Sequence, residues 1–419
     1  MSEPRRIAPE ALPAALAELL PPGGLALVSS CAAESAILAD GVAAAGDALG
    51  AMTFTGIFLP GTNRRVWQAG ADSRVLTFFL TPELRAAGER VTFLPLCYDD
   101  IGRELRRRRP DAALLMCSPP DADGMCSLGV QVDFLPGLWR DIGVLVAHIN
   151  PEMPRVAGDP GIPFSALTAY VEQAQPLLTA PSGTPDAVAQ AIAEHVAPFV
   201  PDGSTLQVGI GKIPDALPAA LSHRRNLRVH SGLLGDWLLE LQASGALAPG
   251  PSVLGGIAVG STALYAALDD PAIAMQPVAV THGAAALANV ERLVTINSAI
   301  EVDLFGQAFS ELVPKGLMSG PGGATDFARG ARSGGGTRIV ALPASAGKEG
   351  QISRIVLPGA GAGPVSLSRT EIDVVVTEHG AADLRGTDYP TRAARLIALA
   401  APEHREALDA GWRAFAARL

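Results

Sequence analysis

The residues of this chain that could do chemistry are mostly backbone donors in glycine turns. The run LQVGIGKIPDALPAALSHRRNLRVHSGLLGDWLL (206–239) reads as strand, glycine turn, helix, strand, and a second glycine turn opening another helix. Thr205–Val208 is a short apolar strand, and Gly209-Ile210-Gly211 is a tight turn with no side-chain crowding on either flank. From Pro214 the pattern is helical, and Asp215 in the first turn complements the helix dipole. Arg228-Val229-His230 returns as a strand and ends at Ser231-Gly232. Two glycine turns at strand ends present N–H groups where an anionic oxygen can sit. A lone G-x-G is also an ordinary tight turn, so its meaning depends on what surrounds it.

Carboxylates and imidazoles nearby offer acid–base chemistry. Glu301 and Asp303 alternate along a strand and therefore share a face. Asp236 and Glu240 lie just beyond Gly232 on the next helix, where Asp236 either reaches back toward Gly232 or caps the helix. Ser231 and His230 are adjacent on a strand, so they point to opposite faces and do not form a nucleophile–base pair. His282 and His379 occupy glycine-containing turns near strand ends, in range of general-base work near neutral pH. For both, an ordinary surface or core histidine is the competing reading. Four cysteines (Cys31, Cys97, Cys117, Cys126) are too few and too irregular for a disulfide framework or a zinc site. No pattern calls for a metal, a nucleotide or a flavin.

The elements that must position these groups follow from apolar patterning. The chain has 419 residues, 48% apolar and 18% charged, a globular composition of two to three domains' length. A net charge of −10 argues against a nucleic-acid surface. The one basic run, Arg106–Arg109, ends a helix before Pro110 as a solvated last turn. The proline-broken N-terminus lacks the core of a secretory signal, and no apolar run reaches membrane-spanning length, so a cytoplasmic protein is expected. Strands fit 25–29, 51–55, 75–79, 91–95, 112–116 and 142–150, with helices between most of them. The later part adds a helix over 187–196, capped near Thr184 with Pro185 in its first turn. Strands at 338–343, 353–358 and 372–380 follow, then helices over 387–400 and from 402. Apolar strands alternating with helices predict a mostly parallel sheet covered on both faces. The loop 117–129 at a strand end is a candidate ligand loop. Two similar halves suggest two related open α/β domains, 1–199 and 200–419.

Several long motifs occur in order: SPPDADGMCSLG (118–129), GIGKIPDAL (209–217), GSTALY (260–265), INSAIEVDLFGQ (296–307), SGPGGATDFARGA (319–331) and VVTEHGAADLRG (375–386). With them the chain resembles the acetyl-CoA hydrolase/transferase family, which includes 4-hydroxybutyrate and succinyl-CoA:acetate CoA-transferases of class I. The resemblance spans nearly the whole chain and is densest after residue 200. It implies two CoA-transferase-like domains with the active site between them, and a homodimer. It also implies a CoA thioester as substrate rather than as bound cofactor, with a small carboxylate or water as its partner. The amides of Ile210 and Gly323 would form an oxyanion hole, Asn297 would lie near the catalytic carboxylate, and the backbone of Gly209, Gly211, Gly232, Gly320 and Gly322 would approach CoA. In the family a glutamate attacks the thioester to give an acyl-glutamyl anhydride, then a glutamyl-CoA thioester that a second carboxylate takes over. That glutamate ends a His-Thr-Glu-like run, matched here by His230-Ser231-Gly232. Glycine has no nucleophile, so Glu301 or Asp236 are the candidates to replace it. The resemblance thus implies CoA transfer or hydrolysis, tilted toward hydrolysis. The alternatives are a recruited member with different acyl chemistry and a non-catalytic acyl-CoA-binding protein.

Overall fold

The computed structural model describes residues 3–180, 183–313 and 316–418. It divides into two compact units that do not follow a single cut in the chain. One comprises Met1–Pro181 with Val253–Thr281, the other Ser182–Ser252 with His282–Leu419.

The first unit is built on β1 (Arg5–Arg6), α1 (Leu12–Leu19), β2 (Leu25–Val28), α2 (Ala36–Ala45), β3 (Thr53–Gly56), β4 (Arg74–Thr77), β5 (Val91–Phe93), α3 (Tyr98–Arg108), β6 (Ala112–Cys117), β7 (Val144–Ile149) and β8 (Ala169–Glu172). The strands lie in the order β1-β8-β7-β6-β2-β3-β4-β5, and every pairing is parallel. The sequence AALLMC of β6 is buried at all six positions, as a strand covered on both faces requires. Ser35 caps α2 by accepting the Leu38 N–H at 3.1 Å. Glycine at 41 lets α1 and α2 pack closely, since a Cβ there would lie 2.8 Å from Leu12 Cδ2. Glu104 binds both Arg107 and Arg108 in the last turn of α3, so the basic run is a solvated helix end. Residues 253–281 return to this unit, where Gln131 bridges Ile257 and Ala157 bridges Ala274.

In the second unit α4 (Ala187–Val196) leads to β9 (Thr205–Val208), α5 (Lys212–Leu221), β10 (Arg228–His230), α6 (Trp237–Ala243), β11 (Leu293–Ser298), β12 (Glu301–Asp303), β13 (Ala308–Phe309), α7 (Ala324–Ser333), β14 (Thr337–Ala341), β15 (Ile355–Val356), β16 (Val374–Thr377), β17 (Gly380–Asp383), α8 (Tyr389–Leu399) and α9 (Pro402–Ala416). Strands β10-β9-β11-β14-β16-β17 are neighbours in that order, parallel except for the closing β16–β17 hairpin. Each unit is therefore an open, largely parallel α/β sheet, as the alternation of apolar strands and helices implied. Among the described residues no helix is long and apolar enough to cross a membrane.

Local expectations shift where side-chain caps and glycine dihedrals decide. The cap of α4 is Asp186, whose carboxyl accepts the Ala189 N–H at 2.9 Å, so Thr184 and Pro185 lie outside the helix. Helix α5 begins at Lys212, two residues before Pro214, because Gly211 at φ +117° turns the chain and its carbonyl accepts the Asp215 N–H. The strand expected over 353–358 breaks at Arg354. Ile352–Ser353 pairs with Ser345–Ala346, while Ile355–Val356 pairs with β12. The strand expected over 372–380 stops at Thr377, and Glu378-His379 turn into β17.

Candidate active site

All the glycine turns singled out above belong to the second unit, and those at 209–211 and 231–232 lie at the C-terminal ends of parallel strands, where open α/β sheets place ligands. The chain leaves β9 into Gly209-Ile210-Gly211. A Cβ on Gly209 or Gly211 would meet no heavy atom within 4 Å, so both flanks of the turn are open, and the Ile210 side chain is exposed. The turn is held from behind. The indole N–H of Trp237 donates to the Gly209 carbonyl at 3.0 Å. In a trans peptide the carbonyl of one residue and the N–H of the next point in opposite directions. Trp237 therefore aims the Ile210 N–H away from itself. Trp237 fits because residue 235 is glycine: a Cβ there would lie 3.0 Å from the indole Cδ1 and 3.3 Å from Ile210 Cγ2.

Strand β10 ends beside β9, and the buried Ser231 hydroxyl donates to the Val208 carbonyl at 2.7 Å. That bond locks the two strand ends together and engages the hydroxyl with backbone. Gly232 follows, and its missing side chain matters. A Cβ at 232 would lie 2.3 Å from Cε1 and 2.4 Å from Nε2 of His282. A Cβ at 323 would lie 2.7 Å from the same Nε2 and 2.8 Å from Cδ2. The imidazole edge is thus inserted against two glycine backbones. Phe327, one turn into α7, packs on the ring with centroids 4.8 Å apart, and His230 meets Phe327 edge-on at 6.4 Å. His282 is buried, and burial first, then the charge of His230, pushes its pKa from 6.5 down to about 3. The ring is neutral at physiological pH.

Gly320, Gly322 and Gly323 form the approach to α7. Gly322 adopts φ +60°, where a side chain would be strained, and Gly323 is the N-cap of α7, with no side-chain cap competing for the first-turn amides. Asn297 sits on β11 one residue past Ile296, the partner of Val208, and so stands level with the start of the 209–211 turn. Its amide pairs reciprocally with Gln207, donating at 3.0 Å and accepting at 3.4 Å.

Of the carboxylates noted in the sequence, Glu301 and Asp303 are engaged with nearby backbone. Glu301 accepts the Ala362 N–H at 2.8 Å in the small sheet of β12, β13 and β15. Asp303 is buried and accepts the amides of Phe305 and Gln307 and the Gln307 side chain, all at 2.9–3.0 Å. Asp236 occupies the N-cap position of α6 but is helical itself, at φ −61° and ψ −22°, and its side chain does not bond the first-turn amides, contrary to the capping expectation. Glu240 is exposed. His379 is exposed in the β16–β17 turn, 3.9 Å from Glu378. In the first unit, the 117–129 loop is a braced hairpin. Asp159 accepts from Ser127, Leu128 and Gly129, and Arg155 donates to the carbonyls of Pro119 and Met125. Among the described residues no group of three or more His, Cys, Asp or Glu could hold a metal ion.

The contact that sequence reasoning missed is His282 against Gly232. The two are fifty positions apart, and nothing in their spacing links them. Trp237 and Gln207 were missed too, because each acts on a turn or an amide that only the fold brings near.

Comparison with known proteins identifies the family. The acetyl-CoA hydrolase/transferase N-terminal domain matches residues 38–180 and the corresponding C-terminal domain matches residues 260–411. The chain belongs to the acetyl-CoA hydrolase/transferase family, whose members are CoA-transferases and acetyl-CoA hydrolases. It is 37% identical to the 4-hydroxybutyrate coenzyme A transferase of Clostridium kluyveri over 331 residues, 76% of each chain. RipA from Yersinia pestis superposes with a TM-score of 0.88 at 27% identity, covering 98% of this chain and 97% of that one. The 4-hydroxybutyrate CoA-transferase of Porphyromonas gingivalis does so with a TM-score of 0.80 at 30% identity and the same coverage.

Two outcomes follow from the wedge. Gly232→Ala forces the ring to move and should destabilise the protein by about 1–3 kcal/mol, as overpacking does. Combined with His282→Ala it should cost less than the sum of the two single changes, a coupling that a denaturation double-mutant cycle measures. Between pH 6.5 and about 3, the unfolded chain binds a proton at residue 282 that the folded chain does not. His282 therefore contributes a loss of stability as pH falls through that window, and His282→Gln should flatten the pH dependence relative to the parent.

Proposed function

We propose that this protein cleaves an acyl-CoA thioester with water as the acceptor, without forming a glutamyl-CoA intermediate. The observation that carries the reading is the His282 ring filling the space that a side chain at residue 232 would need. A carboxylate nucleophile at that position is excluded twice over, by the residue type and by the occupied volume. Polarisation of the thioester remains available. The Ile210 N–H, aimed by Trp237, and the Gly323 N–H at the start of α7 are the donors for the oxygen as it becomes negative. Open flanks at Gly209 and Gly211 and the glycines at 320 and 322 leave room for the CoA arm at the backbone, whereas the space at Gly232 is taken by the His282 ring. Asn297, fixed by Gln207, lines the strand end beside the turn. Glu301 braces its own loop and takes no part in bond making. CoA is a portion of the substrate here and not a resident cofactor.

Purified protein should release free CoA from acetyl-CoA or succinyl-CoA at a rate independent of added acetate, and intact-protein mass spectra during turnover should show no CoA adduct. Acetate-dependent label exchange with an enzyme–CoA adduct would restore the transferase reading. Tight binding without turnover over many hours would mark a binding protein instead. Trp237→Phe keeps the aromatic bulk and loses the indole donor. It should lower kcat by on the order of tenfold to a hundredfold through loss of amide alignment, measured by thiol release under saturating substrate.

A further inference from the structure

We propose that the edge of the second unit's sheet remote from the glycine turns carries a binding site for a small organic phosphate monoester, seated on Arg369 and Arg392. The site is independent of the thioester-cleavage reading. An open cleft of about 330 Å³ lies there, lined by Arg369, Thr370, Thr387, Asp388, Tyr389 and Arg392. That is within the roughly 300–1,000 Å³ of small-molecule sites and more than a bare inorganic ion fills.

Its place follows from the strand directions. β16 runs parallel to β14, β14 to β11 and β11 to β9. The 209–211 turn leaves the C-terminal end of β9, whereas Arg369 and Thr370 precede the N-terminal end of β16. The β16–β17 hairpin sets Asp383 opposite Val374, which brings Thr387, Asp388 and the start of α8 back to that same edge. The cleft and the glycine turns thus lie at opposite edges of one sheet.

Uncompensated charge is the argument for an anion. The chain as a whole is acidic, at −10, and the carboxylates of these segments are already taken. Glu371 pairs with Arg329, Asp373 with Arg338 and Asp383 with Arg385. Among the described residues neither Arg369 nor Arg392 forms an ion pair. Arg392 is fixed by carbonyls instead. It donates to Phe305 and Leu384, each at 3.0 Å, and to Arg369 at 3.4 Å. Those bonds hold its guanidinium in place and keep the backbone of Arg369 against it without cancelling its charge. Burial lowers the pKa of Arg392, Tyr389 offsets part of that, and the charge of Arg369 lowers it again. Two like charges so close disfavour each other, and an anion between them removes the penalty. Asp388 is the one carboxylate in the lining. It caps α8 by accepting the Thr391 N–H at 2.9 Å, so it serves the helix start and occupies that amide.

The donors left for a ligand favour a phosphate. The exposed Arg369 side chain has no hydrogen-bond partner among the described residues, which leaves its whole fork free for bidentate contact. A phosphate monoester brings three terminal oxygens and up to two negative charges to two guanidinium groups. A carboxylate brings two oxygens and one charge. The hydroxyls of Thr370 and Thr387 are engaged within their own loops, with Ser368 and with the Leu384 carbonyl. The exposed Tyr389 ring, backed by Phe305 at a centroid distance of 4.9 Å, offers a wall for the organic portion.

Calorimetric titration and thermal unfolding of the full chain test this, with glycerol 3-phosphate, adenosine 5′-monophosphate, inorganic phosphate and succinate as probes. Both monoesters should bind, raise Tm, and bind more tightly than inorganic phosphate or succinate. Arg369→Ala should weaken both monoesters by about tenfold to a hundredfold, the usual worth of a charge-assisted hydrogen-bonded contact, and Arg369→Lys by less. Thiol release from acetyl-CoA should be the same in Arg369→Ala as in the parent, because Arg369 lies at the opposite edge of the sheet. Equal monoester affinity in parent and Arg369→Ala overturns the site, as does a parent that binds neither monoester at millimolar concentration. Succinate or inorganic phosphate binding as tightly as the monoesters overturns the ligand class. None of these outcomes bears on whether the parent cleaves a thioester, which the thiol assay reads separately.

Discussion

The second unit depends on a steric constraint: one imidazole edge pressed against two glycine backbones. His282 can lie where it does only because residues 232 and 323 have no side chains. Phe327 closes the ring in from α7, and α7 itself starts at Gly323, so helix, loop and imidazole form one packed unit. The ring has little freedom to move without shifting a helix start or a strand end. Close packing of this kind transmits small changes in side-chain volume directly into position.

A second layer of the same unit fixes the backbone donors. Ser231 ties the end of β10 to Val208, and Trp237 ties α6 to Gly209. Both bonds use side-chain donors on backbone carbonyls at the ends of neighbouring strands. The effect is to hold a solvent-facing glycine turn, intrinsically the most flexible kind of segment, in a single orientation. An amide that is already oriented loses little freedom when an oxyanion forms beside it, which is the physical content of a preorganised site.

Much of the fold was legible in the sequence. Buried strands such as β6 show as unbroken apolar runs, and helices such as α4 show as regular periodicity. The misplacements came where a single side chain or dihedral sets a boundary, as at Asp186 and Gly211. Resemblance to the family was legible through long motifs, and it drew attention to Gly232. It did not reveal what fills that space. A carboxylate was sought because carboxylates have an obvious signature, and Glu301 and Asp303 instead brace their own loops. The imidazole comes from a turn between two short helices fifty residues away, and no periodicity encodes its contact with the end of β10.

The absent side chain at residue 323 carries a consequence for heredity. Because one ring abuts both glycines, positions 232, 282 and 323 form a set in which the size of each limits the others. A larger residue at either glycine is incompatible with histidine at 282, and a smaller residue at 282 leaves a hole against Phe327. Among relatives that share this arrangement, the three positions should therefore change together or not at all, and a lineage could leave the arrangement only by passing through a poorly packed intermediate.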